Sequence, residues 1–378
     1  MRICLIGNCV TAQCLERRKN QRYLSASGRK KVLQVATCLR DSGHEVTILS
    51  ASYSPRCALP SVELRGERLR ICHAPAVGGF GHAMLKKTLL AAYACWHVLV
   101  RQRYDLVLAY NWQVEFSAPA LAASALGRSV AVLDYEDGLF HDRRYRTWFY
   151  RHWERFAYRH FRGAVLVNEG LQSRIAELGE SMATTVVHGL LDPAILLADP
   201  SPRSPSHPIR LVFTGNLGWE FGFEELLAYL RHLPDDVRLD ITGRGPAAET
   251  DAIKEAVAGH PNAAFHGFLG DSAFAELIAQ ADAFLLLNQI DSPYNQTNFP
   301  SKLFDYLARQ KVVVTTANPL LAPYLDLPGV VVVADPADCS GLAQRIRTSA
   351  CDPARVRRLD EETRSRLCGF LEGLCQKP

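Results

Sequence analysis

Short runs of valine, isoleucine and leucine alternate along this chain with stretches in which apolar residues recur every three or four positions. The runs at Arg2–Gly7, His44–Ala51, Arg68–Ala74, Asp105–Tyr110, Ser129–Asp134, Ala164–Val167 and Thr185–His188 predict strands. Between them, Gly28–Ser42, Ala83–Gln102, Glu115–Leu126, Arg143–Phe161 and Leu171–Leu178 carry the helical period. Strands that are apolar at nearly every position are buried on both faces, and the intervening helices are what buries them. A parallel sheet in an α/β domain follows.

The pattern stops at Asp192–Pro208, which holds five prolines and three serines. Proline lacks an amide donor and restricts the residue before it, so this segment predicts a linker. The alternation then restarts. Strands are expected at Arg210–Thr214, Arg238–Thr242, Ala263–His266, Ala283–Leu287, Val312–Thr315 and Val330–Val333. Helices are expected at Phe223–His232, Ala247–Gly259, Ser272–Gln280 and Ser301–Ala308, with a helical tail from about Asp338 to Leu374. The economical architecture is two doubly wound domains, residues 1–191 and 209–378, facing a cleft, with ligands outside the carboxyl ends of the strands.

Length and composition agree with that division. A chain of 378 residues with 48% hydrophobic content has material for two cores. No apolar run reaches the roughly 18 to 20 residues of a membrane-spanning helix. The first residues read as a buried strand, not a secretory signal, so a cytoplasmic protein is expected. The eleven cysteines form no CxxC pair, and neither a zinc ribbon nor a disulfide framework is indicated. Charge is divided: residues 1–191 carry a net +11 and residues 192–378 a net −7. Such asymmetry suggests an anionic partner for the first half.

Three turns in the second half carry candidate chemistry. In RLVFTGNLGWEFGFEE a strand runs into Gly215, Asn216 and Gly218, and a helix opens near Phe221. Glycine lets a backbone approach an anion closely, and helix starts offer unpaired amides. In LDITGRGPAAE, Arg244 stands between Gly243 and Gly245, where a guanidinium can engage a diphosphate with two parallel hydrogen bonds. In TNFPSKLFDYLARQKVVVTT, Pro300 stops a loop, Ser301 is a natural N-cap, and Lys302 lies in the first turn, where a cation opposes the helix dipole. An anion there compensates, and Asp305 one turn on suits ribose hydroxyls.

The segment NFPSKLFDYLARQKVVVTT resembles the donor-binding segment of retaining GT-B glycosyltransferases of the bacterial mannosyltransferase and glycogen synthase type. FTGNLGWEFGFEELL, LDITGRGP and FHGFLGDSAFAELIAQADAFLLLN resemble that family's successive strand-and-loop units, and KVLQVATCLRDSGHEVTILSA its first helix and second strand. The resemblance implies a two-domain GT-B fold and transfer of a sugar from a nucleotide diphosphate sugar, with retention and without a metal or other cofactor. It implies donor contacts from Gly215, Asn216, Arg244, Phe299, Pro300, Ser301, Lys302 and Asp305. Several positions depart from the family pattern. Thr297 stands where an acidic residue is common, Asn216 and Phe221 where arginine and lysine are usual, and Ser25–Gly28 where a glycine pair is expected. Glu136 and Asp137 replace a frequent histidine after the fifth strand. With Lys302 they are the candidate catalytic residues, the alternative for the pair being a turn that caps the next helix.

For the acceptor, RRYRTWFYRHWERFAYRHFR interleaves arginine with aromatic residues. Arg143, Arg144, Arg146, Trp148, Arg151 and Trp153 suit the surface of an anionic membrane, where a lipid-linked or glycan acceptor would be met. Arg17–Lys19 and Arg29–Lys31 add charge to the same domain. The alternative is that the aromatics face the core and the arginines face solvent. No nucleic-acid motif accompanies the segment. The expected role is in bacterial surface polysaccharide or glycolipid synthesis, the alternatives being a non-hydrolysing sugar-nucleotide epimerase or a non-catalytic partner.

Overall fold

The computed structural model describes residues 1–19, 26–51, 54, 56–78, 83–192, 195, 205, 207–289, 291–293 and 295–376. Most of the Asp192–Pro208 linker, and Ser25 of the turn before the first long helix, lie outside these residues. The chain divides into two compact units: Met1–Pro193 with Asp360–Pro378, and Ala194–Leu359.

In the first unit the described residues form β1 (Arg2–Gly7), β2 (Glu45–Ser50), β3 (Ser61–Leu64), β4 (Leu69–His73), β5 (Leu106–Tyr110), β6 (Val130–Tyr135), β7 (Gly163–Leu166) and β8 (Ala183–Val186). They lie side by side in the order β3-β4-β2-β1-β5-β6-β7-β8. All neighbours are parallel except β3 with β4. The central strands are buried along their length, as their unbroken apolar runs require. Strand β3 escapes sequence analysis because its pattern is inverted. Val62 and Leu64 are exposed while Glu63 is buried, accepting a hydrogen bond from Thr11 Oγ1 at 2.6 Å.

Two expectations are corrected here. The aromatic segment is not one helix from Arg143. Leu139–His141 and Arg143–Tyr145 are single turns, and the helix proper is Trp148–His160. Thr147 sets that start by accepting the Tyr150 amide in its side chain. The chain's tail also does not close the second unit. The last helix, Pro353–Gln376, returns to the first, where Leu367, Leu371 and Leu374 join the core beneath β1 and β5. Spaced by three or four residues, they form one apolar face, and that face is what the first unit covers. Asp360 Oδ1 accepts the Leu191 amide at 2.7 Å, and Arg364 donates to the Leu191 carbonyl at 2.9 Å.

The second unit contains β9 (Ile209–Asn216), β10 (Val237–Arg244), β11 (Ala263–Phe265), β12 (Ala283–Leu286), β13 (Val312–Thr315) and β14 (Val330–Val332). Their order is β11-β10-β9-β12-β13-β14, all parallel. This is the doubly wound 3-2-1-4-5-6 arrangement. The order reverses between β9 and β12, and in the first unit between β1 and β5. Loops at the carboxyl ends of those strands are therefore where each sheet can receive a ligand.

Candidate functional site

At the carboxyl end of the second sheet, β9 and β10 run together so closely that only glycine fits. A Cβ on Gly243 would stand 1.8 Å from the Gly215 carbonyl oxygen, and one on Gly245 2.8 Å from Leu217 Cβ. Both Gly215 and Gly243 have positive φ, 146° and 154°. Gly222, φ 80°, makes the last turn before the helix Phe223–Arg231 and lies against Leu287. The result is a strand end lined by bare backbone.

Lys302 reaches this place. Its helix, Lys302–Ala308, is only seven residues long and is anchored by Tyr306, one turn further on the same face. The Tyr306 ring stacks on Phe284 of β12 at 3.8 Å, and its hydroxyl meets Thr214 Oγ1 at 2.6 Å. Lys302 Nζ then lies 2.9 Å from the Thr214 carbonyl and 3.2 Å from where a Gly215 Cβ would be. The cation disfavoured at its own helix start is thus spent on the carboxyl end of β9.

The other residues singled out in this unit divide. Asn216 is exposed, but its side chain accepts the Gly218 amide at 2.9 Å and so shapes the loop. Arg244 is exposed with its guanidinium over the Phe268 ring at 5.0 Å. Three expectations need correction. Ser301 does not cap its helix: its backbone is already helical, and its side chain makes no capping hydrogen bond. Phe299 is buried against Phe304 and Tyr324, so its ring anchors the loop that carries Pro300. Asp305 is buried too, at 8% exposure, not displayed at an open mouth.

In the first unit the carboxyl end of β6 carries a different chemistry. Asp134, Glu136 and Asp137 gather there, the first two on one face of the chain by the two-residue period. Asp134 and Glu136 are buried and Asp137 is half-buried. Lys31, from the helix Ala26–Asp41, places Nζ 3.0 Å from Glu136 Oε1. Asn111, just after β5, takes the Glu136 and Asp137 amides on its Oδ1 at 2.9 and 3.0 Å. Its Nδ2 donates to Asp137 Oδ2 at 2.9 Å. Among the described residues Asp134 Oδ1 has no hydrogen-bond partner.

Burial raises all three carboxyl groups above their ordinary range. Lys31 opposes the rise at Asp134 and Glu136, and each of those two carboxyls bears on the other. Asp137 is pushed up to about 6 by burial and then by Glu136, against the pull of the Asn111 and Tyr110 side chains. The alternative reading, a turn that caps the next helix, does not describe Glu136, which turns inward to Lys31. Sequence analysis missed Lys31, Asn111 and Asp134 as site residues. The one local signal was an asparagine directly after a central strand, where a left-handed residue is tolerated.

Comparison with known proteins now adds the family. A profile described as "Glycosyl transferase 4-like domain" matches residues 28–190, and one described as "Glycosyl transferases group 1" matches residues 208–352. The two matches run in order and cover most of the chain. The chain is a GT-B glycosyltransferase of the group 1 type. A search of curated proteins finds no match to it. Solved structures share the fold at low identity. Sucrose-phosphate synthase from Thermosynechococcus elongatus superposes with a TM-score of 0.60 at 15% identity, over 99% of this chain and 96% of that one. The catalytic domain of starch synthase IV from Arabidopsis thaliana, bound to ADP and acarbose, gives 0.68 at 11% identity over 100% of both. Anabaena HepE, in complex with UDP and glucose, gives 0.62 at 14% identity over 98% and 99%.

The arginine-rich aromatic segment of the glycosyltransferase separates into two faces. Trp148 and Phe149 are exposed, at 73% and 51%, as are Arg143, Arg144, Arg146 and Arg151. Arg144 pairs with Asp142, and Arg146 donates to the Phe140 and His141 carbonyls. Trp153 leaves the exposed group: its indole N–H donates inward to the Trp112 carbonyl at 2.9 Å. Two further cations expected at the surface are also withdrawn. Arg18 is buried and donates to the Ala74 and Leu59 carbonyls, and Lys31 faces Glu136. No helix among the described residues is long and apolar enough to cross a membrane.

Proposed function

We propose that this glycosyltransferase moves a sugar from a nucleotide diphosphate donor to a glycan or lipid-linked acceptor, with retention, in bacterial surface polysaccharide or glycolipid synthesis. The observation that carries the donor assignment is the Lys302 ammonium beside the glycine-only ends of β9 and β10. A diphosphate can approach bare backbone there, next to a fixed cation, with the exposed Arg244 as a second one. In this reading these groups stabilise the charge that develops on the departing nucleoside diphosphate, and the acceptor attacks from the face it leaves. No metal is required for that role. Asp305, although buried, lies one turn from Lys302 and is assigned to the ribose hydroxyls, and the half-buried Asp137, backed by Glu136, to a hydroxyl of the sugar substrates. The UDP bound by HepE and the ADP bound by starch synthase IV support a nucleotide donor.

Thermal-shift titration with UDP, GDP, ADP and their sugars tests the donor site. One nucleoside diphosphate should raise the melting temperature of the wild type, and Lys302→Ala should abolish the rise while the unliganded melting point stays close. Equal shifts in both proteins would remove Lys302 from the site. Asp305→Asn, which keeps the buried volume, should weaken the same ligand less than Lys302→Ala does.

For the acceptor we assign the exposed face of Trp148, Arg143, Arg144, Arg146 and Arg151 to an anionic bilayer, where exposed aromatics beside guanidinium groups suit headgroup depth. Co-sedimentation with phosphatidylserine vesicles should exceed that with neutral vesicles and fall when the four arginines are neutralised. Binding indifferent to lipid charge would leave these arginines as solvated surface.

A further inference from the structure

The assignment of Asp137 to a sugar hydroxyl rests on the function just proposed; the geometry around it identifies the residue that prepares it. Asn111 is buried to 1% exposure and stands in the left-handed region, φ 60°. Its amide N–H donates to the Asp134 carbonyl at 2.7 Å, which stitches the end of β5 to the end of β6. Its side chain then makes three bonds, two to the Glu136 and Asp137 amides and one to the Asp137 carboxylate. A buried non-glycine residue holds such a backbone only where its surroundings determine it, and such residues gather at working sites. Here both functional ends of the amide are committed to one short acidic loop at the mouth of the sheet.

We propose that Asn111 is a positioning residue of the transfer reaction: it fixes the Asp137 carboxylate, ionised and in one orientation, to receive a hydrogen bond from a sugar hydroxyl. The oxygen of the amide holds the loop backbone, and the nitrogen holds the carboxylate itself. Among the described residues, the charged and titratable groups that bear on Asp137 are Glu136 and Asp134 from β6 and its loop, and Tyr110 from β5. Lys31, on the helix Ala26–Asp41, acts through Glu136. Of these only Tyr110 assists Asn111 directly in keeping Asp137 ionised.

The test compares Asn111→Asp, Asn111→Gly and Asp137→Asn. Aspartate and glycine both tolerate the left-handed backbone. Aspartate can still accept the two amides but sets a carboxylate oxygen where the Nδ2 donor was. Carbon-13 titration of the Asp137 carboxyl should therefore move its midpoint upward in Asn111→Asp, by about one unit. The acidic limb of kcat/KM, measured as nucleoside diphosphate release from UDP-glucose, GDP-mannose or ADP-glucose, should move with it. That costs about tenfold in rate below the limb and little above pH 8. Asn111→Gly should move both in the same direction by less. If Asp137→Asn keeps the wild-type rate, the assignment of Asp137 fails and this inference fails with it. If Asp137→Asn is inactive while Asn111→Asp titrates and turns over like the wild type, the role of Asn111 alone is overturned.

Discussion

The carboxyl ends of the two sheets occupy equivalent places in similar topologies, yet they are built from opposite materials. At β9 and β10 the second unit has removed side chains at the close approach, where Gly215, Gly243 and Gly245 bring backbone together, and Lys302 reaches in. At β6 the first unit has concentrated them: three carboxyl groups, one ammonium and one amide lie within two hydrogen-bond shells. A diphosphate is large, highly charged and best met by amide groups and a cation. A sugar hydroxyl is small and neutral, and is best met by an oriented carboxylate. One fold accommodates both because the strand ends fix position while the loop residues choose the chemistry.

The difference can be broken most severely at the glycines. Gly243→Ala should destabilise the second unit by roughly 3 kcal/mol or more, since its Cβ would overlap the Gly215 carbonyl in a backbone region that alanine avoids. A urea titration followed by circular dichroism would read the loss. A stable variant would mean that the two strand ends can part. The second unit should thus be intolerant of an added methyl at this point, while the first should instead be sensitive to lost charge. Lys31→Met leaves Glu136 buried beside Asp134 without its cation and should cost about 2 kcal/mol at pH 8, part of the penalty being relieved by proton uptake. At pH 5 the cost should be smaller, because Glu136 is then more readily neutral.

A pH dependence sharpens the same contrast. Folding raises Asp137 from an ordinary 3.8 to about 6, and raises Glu136 as well. The folded state therefore holds these protons more tightly than the unfolded chain. Their stabilising contribution is complete below the ordinary carboxylate range and is lost as pH rises, through about 6 for Asp137 and about 8 for Glu136. The urea midpoint of the wild type, relative to Glu136→Gln with Asp137→Asn, should fall between pH 4 and pH 8. A difference that is flat or rises with pH would contradict this. The smallest effect is expected from Tyr306→Phe, which removes the 2.6 Å bond to Thr214 but keeps the stack on Phe284. About 1 kcal/mol of stability should be lost, with a modest weakening of nucleotide binding as Lys302 loosens.

Particular elements show what could be read in advance. The glycine turns after β9 and β10 were legible because an apolar strand ending in glycine is a local statement. Lys302 was legible as a cation in an awkward place. What it touches was not, because Thr214 is 88 residues away in sequence. Ser301 misled because a cap depends on the backbone angle before the helix, and residue type alone does not fix that angle. Trp148 and Trp153 looked alike in a run of arginines and rings, yet one faces solvent and the other donates to Trp112. Strand β3 was invisible because its buried side is a glutamate held by Thr11.

The sequence by itself determined the two doubly wound sheets, their helices, and the glycine-lined ends of β9 and β10, because periods of two and 3.6 residues and the steric freedom of glycine act between near neighbours. Only the tertiary structure decided that the last helix returns to the first unit, that Lys31 neutralises Glu136, and that Asn111 grips Asp137. Those choices depend on which buried charge or apolar face meets which partner, and chain closure brings such partners together from tens to hundreds of residues apart.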